Sequence, residues 1–238
     1  RDRMKVTIIV PIFNEENTII EILNRISSED IKDPSLEIIV IDDCSTDTSV
    51  ELLKQNSDLY DNLIELKKNL GKGGAVREGL KEANGSYVLF QDGDLEYSPS
   101  DYKKIFKMLE EFNADVVIGS RFLSPEYTSI HYYFHKLGNR FITFLFNLLY
   151  NTTFTDIYSC YLCFRRDLIS PEKLKSNGWS QQAEILATAV KSSKNFFEVP
   201  ISYSGRTFEE GKRIKARHVF GVIYMLSLIH ISEPTRQE

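Results

Sequence analysis

Three carboxylates at alternate positions, Asp92, Asp94 and Glu96, follow directly on the apolar run Tyr87–Phe90. Alternate residues share a face on extended backbone, so the three side chains are expected together at the end of a buried strand. Like charges that close raise one another's pKa unless a cation neutralises them. Hard carboxylate oxygens suit Mg2+ or Mn2+, which typically take one or two carboxylates and complete their shell with substrate phosphates. A solvated turn, favoured by Gly93 and Pro99, is the plain alternative.

Polar groups gather in the same way elsewhere. Pro11-Ile12-Phe13-Asn14-Glu15-Glu16 and Asp42-Asp43-Cys44-Ser45-Thr46-Asp47 each close an apolar run, and "NLGKGGA" (69–75) opens a helical pattern. Bare amides at a helix start can face phosphate, and Lys72 and Arg77 add cations beside them. Neither G-x-x-x-x-G-K-[ST] nor G-x-G-x-x-G is spelled, and a tight turn explains the glycines equally well. Asp43, Ser45 and Asp47 also have the chemistry of helix caps. Residues 205–217 hold Arg206, Lys212, Arg213, Lys215 and Arg217 against Glu209 and Glu210, just before the apolar stretch 218–231. Such a run is either a solvated basic face or a surface that meets an anionic membrane or a lipid phosphate.

Other chemistries lack their parts. Cys160 and Cys163 have no second pair to complete a tetrahedral metal site and read as packing residues. His131, His135, His218 and His230 show no metal spacing; His131 and His135 share a helix face without the intervening Glu of H-E-x-x-H. No serine sits in a G-x-S-x-G elbow.

The elements that must bring these groups together are legible. Apolar runs at 5–13, 36–43, 62–68, 86–92 and 114–120 alternate with helical patterns at 15–26, 45–56, 73–83 and 99–112. Near-continuous Ile/Val strands between amphipathic helices predict an α/β fold, a doubly wound, mostly parallel sheet covered on both faces. Ligands bind beyond the carboxyl ends of such strands, where all four polar segments would stand in line. The second half is less regular. A helix with a wide apolar face is expected over 131–151, and strands over 160–166 and 196–206 flank a helix at 181–193. The wide face suits either a core helix or one lying at a bilayer surface.

The chain has 238 residues, 42% of them hydrophobic and 26% charged, with a net charge of −5. That balance argues against a nucleic-acid binder, whose footprint is basic. Three cysteines form no disulfide framework and fit a reducing compartment. No cleavable leader is expected before the first strand, and Met4 is the expected natural start. Runs of 18 or more apolar residues are absent. One catalytic domain is expected over 1–215, followed by an apolar helix and tail over 216–238.

Taken together, "IIVPIFNEENTI", "IIVIDDCSTDTS", "NLGKGGAVREGL", "FQDGDLEYSPSDY", "DVVIGSRF", "LGNRFITFLFNLL", "TDIYSCYLCFRRD" and "EVPISYSGRTFEEGKRI" resemble the inverting GT-A glycosyltransferases of family two. More narrowly they resemble its dolichyl- and polyprenyl-phosphate hexose synthases, from about residue 5 to 215. The resemblance implies that Pro11, Asn14 and Glu15 line the nucleotide of a nucleotide-sugar donor, Asp43 reaches its base or ribose, and Lys72 joins the donor site. By the same likeness Asp92 and Asp94 form the D-x-D pair holding Mg2+ or Mn2+ on the donor diphosphate, with Glu96 in the metal shell. Arg121, Arg140, Arg206 and Lys212 would hold donor and acceptor phosphates, with Asp94, Arg121 and Arg206 closest to the chemistry.

The implied reaction moves a hexose from GDP-mannose or UDP-glucose to a polyprenyl monophosphate at the cytoplasmic face of a membrane. Gly93 stands where this branch commonly has alanine, and Glu184 takes the place of its acidic helix start. Past Lys215 the likeness fades. "SLIHISEPTRQE" resembles no part of the family, which suggests a truncated or non-native end and a missing anchor. An enzyme extending a polysaccharide or lipid-linked saccharide is the nearest alternative and would need a carboxylate base. A sugar nucleotidyltransferase is the next, disfavoured by the acidic "PIFNEEN".

Overall fold

The computed structural model describes residues 4–123, 133–178 and 180–205. One sheet contains β1 (Lys5–Ile12), β2 (Ser35–Asp42), β3 (Asn62–Glu65), β4 (Tyr87–Phe90), β5 (Val116–Ser120), β6 (Leu162–Arg165) and β7 (Phe196–Pro200). Its order is β3-β2-β1-β4-β6-β5-β7. Val6 to Val10 of β1 and all of β4 and β5 are buried on consecutive residues, so both faces of the sheet are covered. The covering helices are α1 (Ile19–Ser28), α2 (Ser49–Gln55), α3 (Lys72–Glu82), α4 (Tyr102–Phe112), α5 (Tyr133–Tyr150) and α6 (Gln181–Ser192). In α1, Ile19, Ile22, Leu23 and Ile26 form the buried stripe that the helical spacing calls for.

The doubly wound, mostly parallel sheet agrees with the sequence expectation, with one difference. β6 lies between β4 and β5 and runs antiparallel to both, while β5 pairs in parallel with β7. The chain between α5 and β6 therefore enters the sheet from its carboxyl edge, and residues 151–161 are delivered to that edge. Both first helices also start later than expected, at Ile19 and Ser49, because the residues before them bind each other across the edge.

Beyond β7 the chain continues as Ile201–Gly205, with Tyr203 bridging antiparallel to Tyr97. Arg206, Lys212 and the remainder of the basic run lie outside the described residues, as do His131, His218, His230 and the expected 216–238 segment.

Candidate functional site

The carboxyl edge is built loop against loop. Asn14, at φ 57°, donates its amide to Ser45 Oγ (2.9 Å), and its Oδ1 accepts from the Thr46 amide (2.8 Å). The Glu15 amide donates to Ser49 Oγ at 3.0 Å and the Glu16 amide to Asp47 Oδ2 at 3.1 Å. Glu16 Oε2 returns the contact, accepting from the amide and hydroxyl of Thr48 at 3.0 and 2.6 Å. The loops after β1 and β2 are thus one unit. Asp47 also accepts from the Ser49 amide at 3.0 Å, so one carboxylate joins both loops.

Asp43 is buried and its Oδ1 accepts from the Leu70 amide at 2.6 Å. Burial pushes this carboxyl above the ordinary range, and the Leu70 and Gly71 amides pull it back. Expected at a base or ribose, Asp43 here holds the third loop. That loop in turn explains its glycines. A Cβ on Gly71 or Gly73 would lie 2.7 Å from Asn177 O or 2.6 Å from Ser176 O. The Gly73 amide donates to Asn177 O at 2.9 Å, and Arg77 Nη1 to Leu174 O at 3.3 Å. The glycines admit a neighbouring backbone; the Gly73 amide is already satisfied and does not stand bare for phosphate.

β4 ends at Phe90, before the acids, and residues 93–96 bend. Buried Gly93 makes the bend, since a Cβ there would meet Ile12 Cγ2 at 2.8 Å. The extended backbone that would place three carboxylates on one face is therefore absent, and the acids part company. Asp92 is ion-paired with Lys72, both side chains being mostly buried. Asp94, 9% exposed, accepts the Glu96 amide on Oδ1 at 3.2 Å. Glu96 Oε2 instead accepts from the Tyr203 hydroxyl at 2.8 Å, and its carbonyl from the Ser204 amide. Among the described residues no group of three His, Cys, Asp or Glu side chains could hold a metal ion. Glu96 thus ties down the returning strand, away from Asp92 and Asp94.

Behind the acids sits a buried polar core. Gln91 Oε1 accepts from the hydroxyls of Tyr102 (2.7 Å) and Tyr161 (2.8 Å), and its Nε2 donates to Asp92 O (3.0 Å). Burial pushes the Cys160 thiol well up, and Asp92 beside it adds to that, accepting its hydrogen bond. For Lys72, burial works against the ammonium, but Asp92, helped by Cys160 and Asp94, outweighs it and holds the group charged.

Arg121, expected to meet phosphate, is 10% exposed and grips fully buried Asp156: Nε to Oδ2 at 2.7 Å and Nη2 to Oδ1 at 2.8 Å. Its guanidinium also lies 5.2 Å from the centre of the Tyr203 ring. Glu198 Oε1 accepts from the amides of Thr155 (2.8 Å) and Asp156 (3.3 Å), which fixes that segment. Arg140 lies exposed on α5. Pro11 remains in β1, paired with Ile41. Asp156, Glu198 and Tyr203 carry structure at this edge; they lie within "TDIYSCYLCFRRD" and "EVPISYSGRTFEEGKRI", but the sequence pattern assigns none of them a role. Asp156 comes from the irregular segment between α5 and β6.

Comparison with known proteins agrees with this architecture. The family described as glycosyl transferase family 2 matches residues 7–170. Glycosyltransferase GlyA of Streptococcus pneumoniae is 33% identical over 139 residues, 58% of this chain and 19% of that protein. The poly(ribitol-phosphate) β-N-acetylglucosaminyltransferase TarS of Staphylococcus aureus is 28% identical over 223 residues, 91% of this chain and 38% of that protein. The chain spans less than two fifths of the length of these relatives. Among solved structures, S. aureus TarS 1–349 with UDP-GlcNAc superposes with a TM-score of 0.68 at 17% identity, covering 98% of this chain and 68% of that one. Glucosyl-3-phosphoglycerate synthase from Mycobacterium tuberculosis, with Mn2+, UDP and glucosyl-3-phosphoglycerate, gives 0.71 at 17% identity, covering 96% and 80%. These two show a shared fold. By the family match over residues 7–170, the chain belongs to glycosyl transferase family 2.

Proposed function

We propose that this family-two chain transfers a hexose from a nucleotide sugar, GDP-mannose or UDP-glucose, to the phosphate of a polyprenyl or dolichyl monophosphate, inverting the anomeric centre. The observation that carries the acceptor class is that five carboxylates at the edge are already held by partners. Lys72 holds Asp92, Arg121 holds Asp156, Tyr203 holds Glu96, and backbone amides hold Glu184 and Glu198. The first turn of α6, which packs on Gly73 and Ser159, presents the neutral Gln181 and Gln182. A hydroxyl acceptor needs a carboxylate free to take its proton. A phosphate monoester arrives already ionised and needs none.

In this reading Pro11, Asn14, Glu15 and Asp43 frame the nucleotide, and Lys72 meets the donor diphosphate. Arg121, Arg140, Arg206 and Lys212 supply charge for donor and acceptor phosphates. Two hard carboxylates on one loop, Asp92 and Asp94, fit a divalent ion of the Mg2+ or Mn2+ type that shares its shell with phosphate oxygens. When bound, such an ion would neutralise charge on the departing nucleoside diphosphate. Residues 1–215 would act as the catalytic unit.

α5 carries Leu137, Phe141, Phe144 and Leu148 at 51%, 50%, 61% and 70% exposure, spaced as one helical stripe. Among the described residues no helix is long and apolar enough to cross a membrane. The stripe suits a helix lying in the cytoplasmic membrane surface, beside the lipid tail of the acceptor. TarS, with 91% of this chain covered, favours a second reading in which a saccharide or polyol phosphate takes the sugar. Radiolabelled GDP-mannose and UDP-glucose offered with polyprenyl phosphate or with saccharide acceptors separate the two. Label in the lipid-phosphate product is expected; label only in saccharide would overturn the proposal.

A further inference from the structure

The glycine turn that opens α3 is held from outside its own loop. Glu184, 5% exposed in the first turn of α6, accepts the Lys175 amide on Oε1 and the Ser176 amide on Oε2, each at 2.9 Å. The next carbonyl, Asn177 O, accepts the Gly73 amide at 2.9 Å. Contact here is backbone on backbone: a Cβ at Gly73 would stand 2.6 Å from Ser176 O and 2.7 Å from the Asn177 carbonyl carbon. Lys72 lies between Gly71 and Gly73, and its ammonium reaches Asp92.

We propose that Glu184 is a positioning residue for the donor site: through the Lys175–Asn177 backbone it holds the glycine turn that aims Lys72 at Asp92. The inference rests on the assignment of the donor diphosphate to this edge. A carboxylate taking two amides with both oxygens is a rigid clamp, because each oxygen is charge-assisted and the group is shut off from water. Without it, segment 175–177 loses its hold on α6, and Gly71, at φ 77°, is left free to move. The Lys72 ammonium then samples positions away from Asp92, and a diphosphate must pay the ordering cost on binding.

A double-mutant cycle on the whole chain tests this, read by binding of UDP and GDP with Mn2+ and by acetylation of Lys72 with an amine-reactive ester under mass spectrometry. Glu184→Ala is expected to weaken nucleotide binding about tenfold or more, the scale of one charge-assisted contact. Glu184→Gln, which keeps one acceptor oxygen, should fall between, and decides the question if the alanine variant does not fold. Lys72→Ala combined with Glu184→Ala should bind no more weakly than Lys72→Ala alone, and Lys72 should acetylate several-fold faster in the Glu184 variants. A lowered melting temperature with unchanged binding and labelling would reduce Glu184 to a stabilising residue and overturn the proposal, as would losses that multiply. If the wild-type chain binds neither nucleotide, the functional reading falls instead. Lys72 labelling then decides the clamp alone, and equal rates would sink it.

Discussion

Removing Asp156 should be among the costliest single substitutions at the edge. Its carboxylate is fully buried and accepts Arg121 Nε at 2.7 Å, Arg121 Nη2 at 2.8 Å, the Arg121 amide at 3.1 Å and the Tyr158 amide at 3.3 Å. Burial alone would push the Arg121 guanidinium down; Asp156 reverses that and holds it above the usual arginine range. Asp156→Ala leaves a cation that is 10% exposed without its counter-ion. Two charge-assisted hydrogen bonds at about 1.5–3 kcal/mol each give the same size as the roughly 3–5 kcal/mol seen when a buried pair loses one member. Urea unfolding at neutral pH, followed by far-UV circular dichroism, reads that loss directly. The double variant Arg121→Met/Asp156→Leu should recover most of it, because no buried charge remains. Pyrophosphate should raise the melting temperature of Asp156→Asn more than that of the wild type, since it can pair the exposed end of the guanidinium. A loss below about 1 kcal/mol, or a double variant as unstable as Asp156→Ala, would refute the argument that the pair is desolvated and mutually dependent.

Three further outcomes follow from the same geometry. Burial pushes Glu37 up, but hydrogen bonds from Lys5, Thr7 and Asn84 outweigh it and hold the carboxyl at about 2 against an ordinary 4.5. Such a depressed carboxylate contributes stability above its unfolded pKa and loses it as pH falls toward 2. The gap corresponds to about 3 kcal/mol at neutral pH, so Glu37→Gln and wild-type urea midpoints should converge on acidification; a difference that stays constant with pH counts against the assignment. Gln91→Leu strips the acceptor from two buried tyrosine hydroxyls and should destabilise by about 2–5 kcal/mol, with a neutral effect in thermal melts excluding the network. Phe144→Ser with Leu148→Ser, at positions 61% and 70% exposed, should leave stability within about 0.5 kcal/mol yet abolish sedimentation with anionic vesicles; retained binding would remove α5 from the membrane contact.

What the sequence disclosed and what it hid divide along one physical line. Elements whose signal is local were visible: the Ile/Val strands, the buried stripe of α1, the polar segments after β1, β2 and β4. Pairings across long separations were not. "CYLCFRR" reads as a strand, but nothing in its composition says that it reverses and inserts between β4 and β5. The period of two at Asp92, Asp94 and Glu96 suggested one face, yet Gly93 packs against Ile12, so the backbone bends before the period can act. Glu184 was legible as an acid near a helix start but not as a clamp. An acid among Ala183, Ile185, Leu186 and Ala187, all buried, must find donors inside the protein, and the two amides it finds belong to a segment no helical pattern covers.

The acids of this edge are held in different ways. Those whose partners are backbone amides or a buried arginine, Asp43, Asp156, Glu184 and Glu198, set the positions of loops and cannot also carry a moving proton. Asp92 differs, because its partner is a lysine on a flexible stem that a diphosphate can draw away. On the proposed reading, the negative charge that meets the cations of this edge arrives with the phosphates of donor and acceptor. The proposed reaction asks for a nucleophile that arrives ionised, which a phosphate monoester does and an alcohol does not.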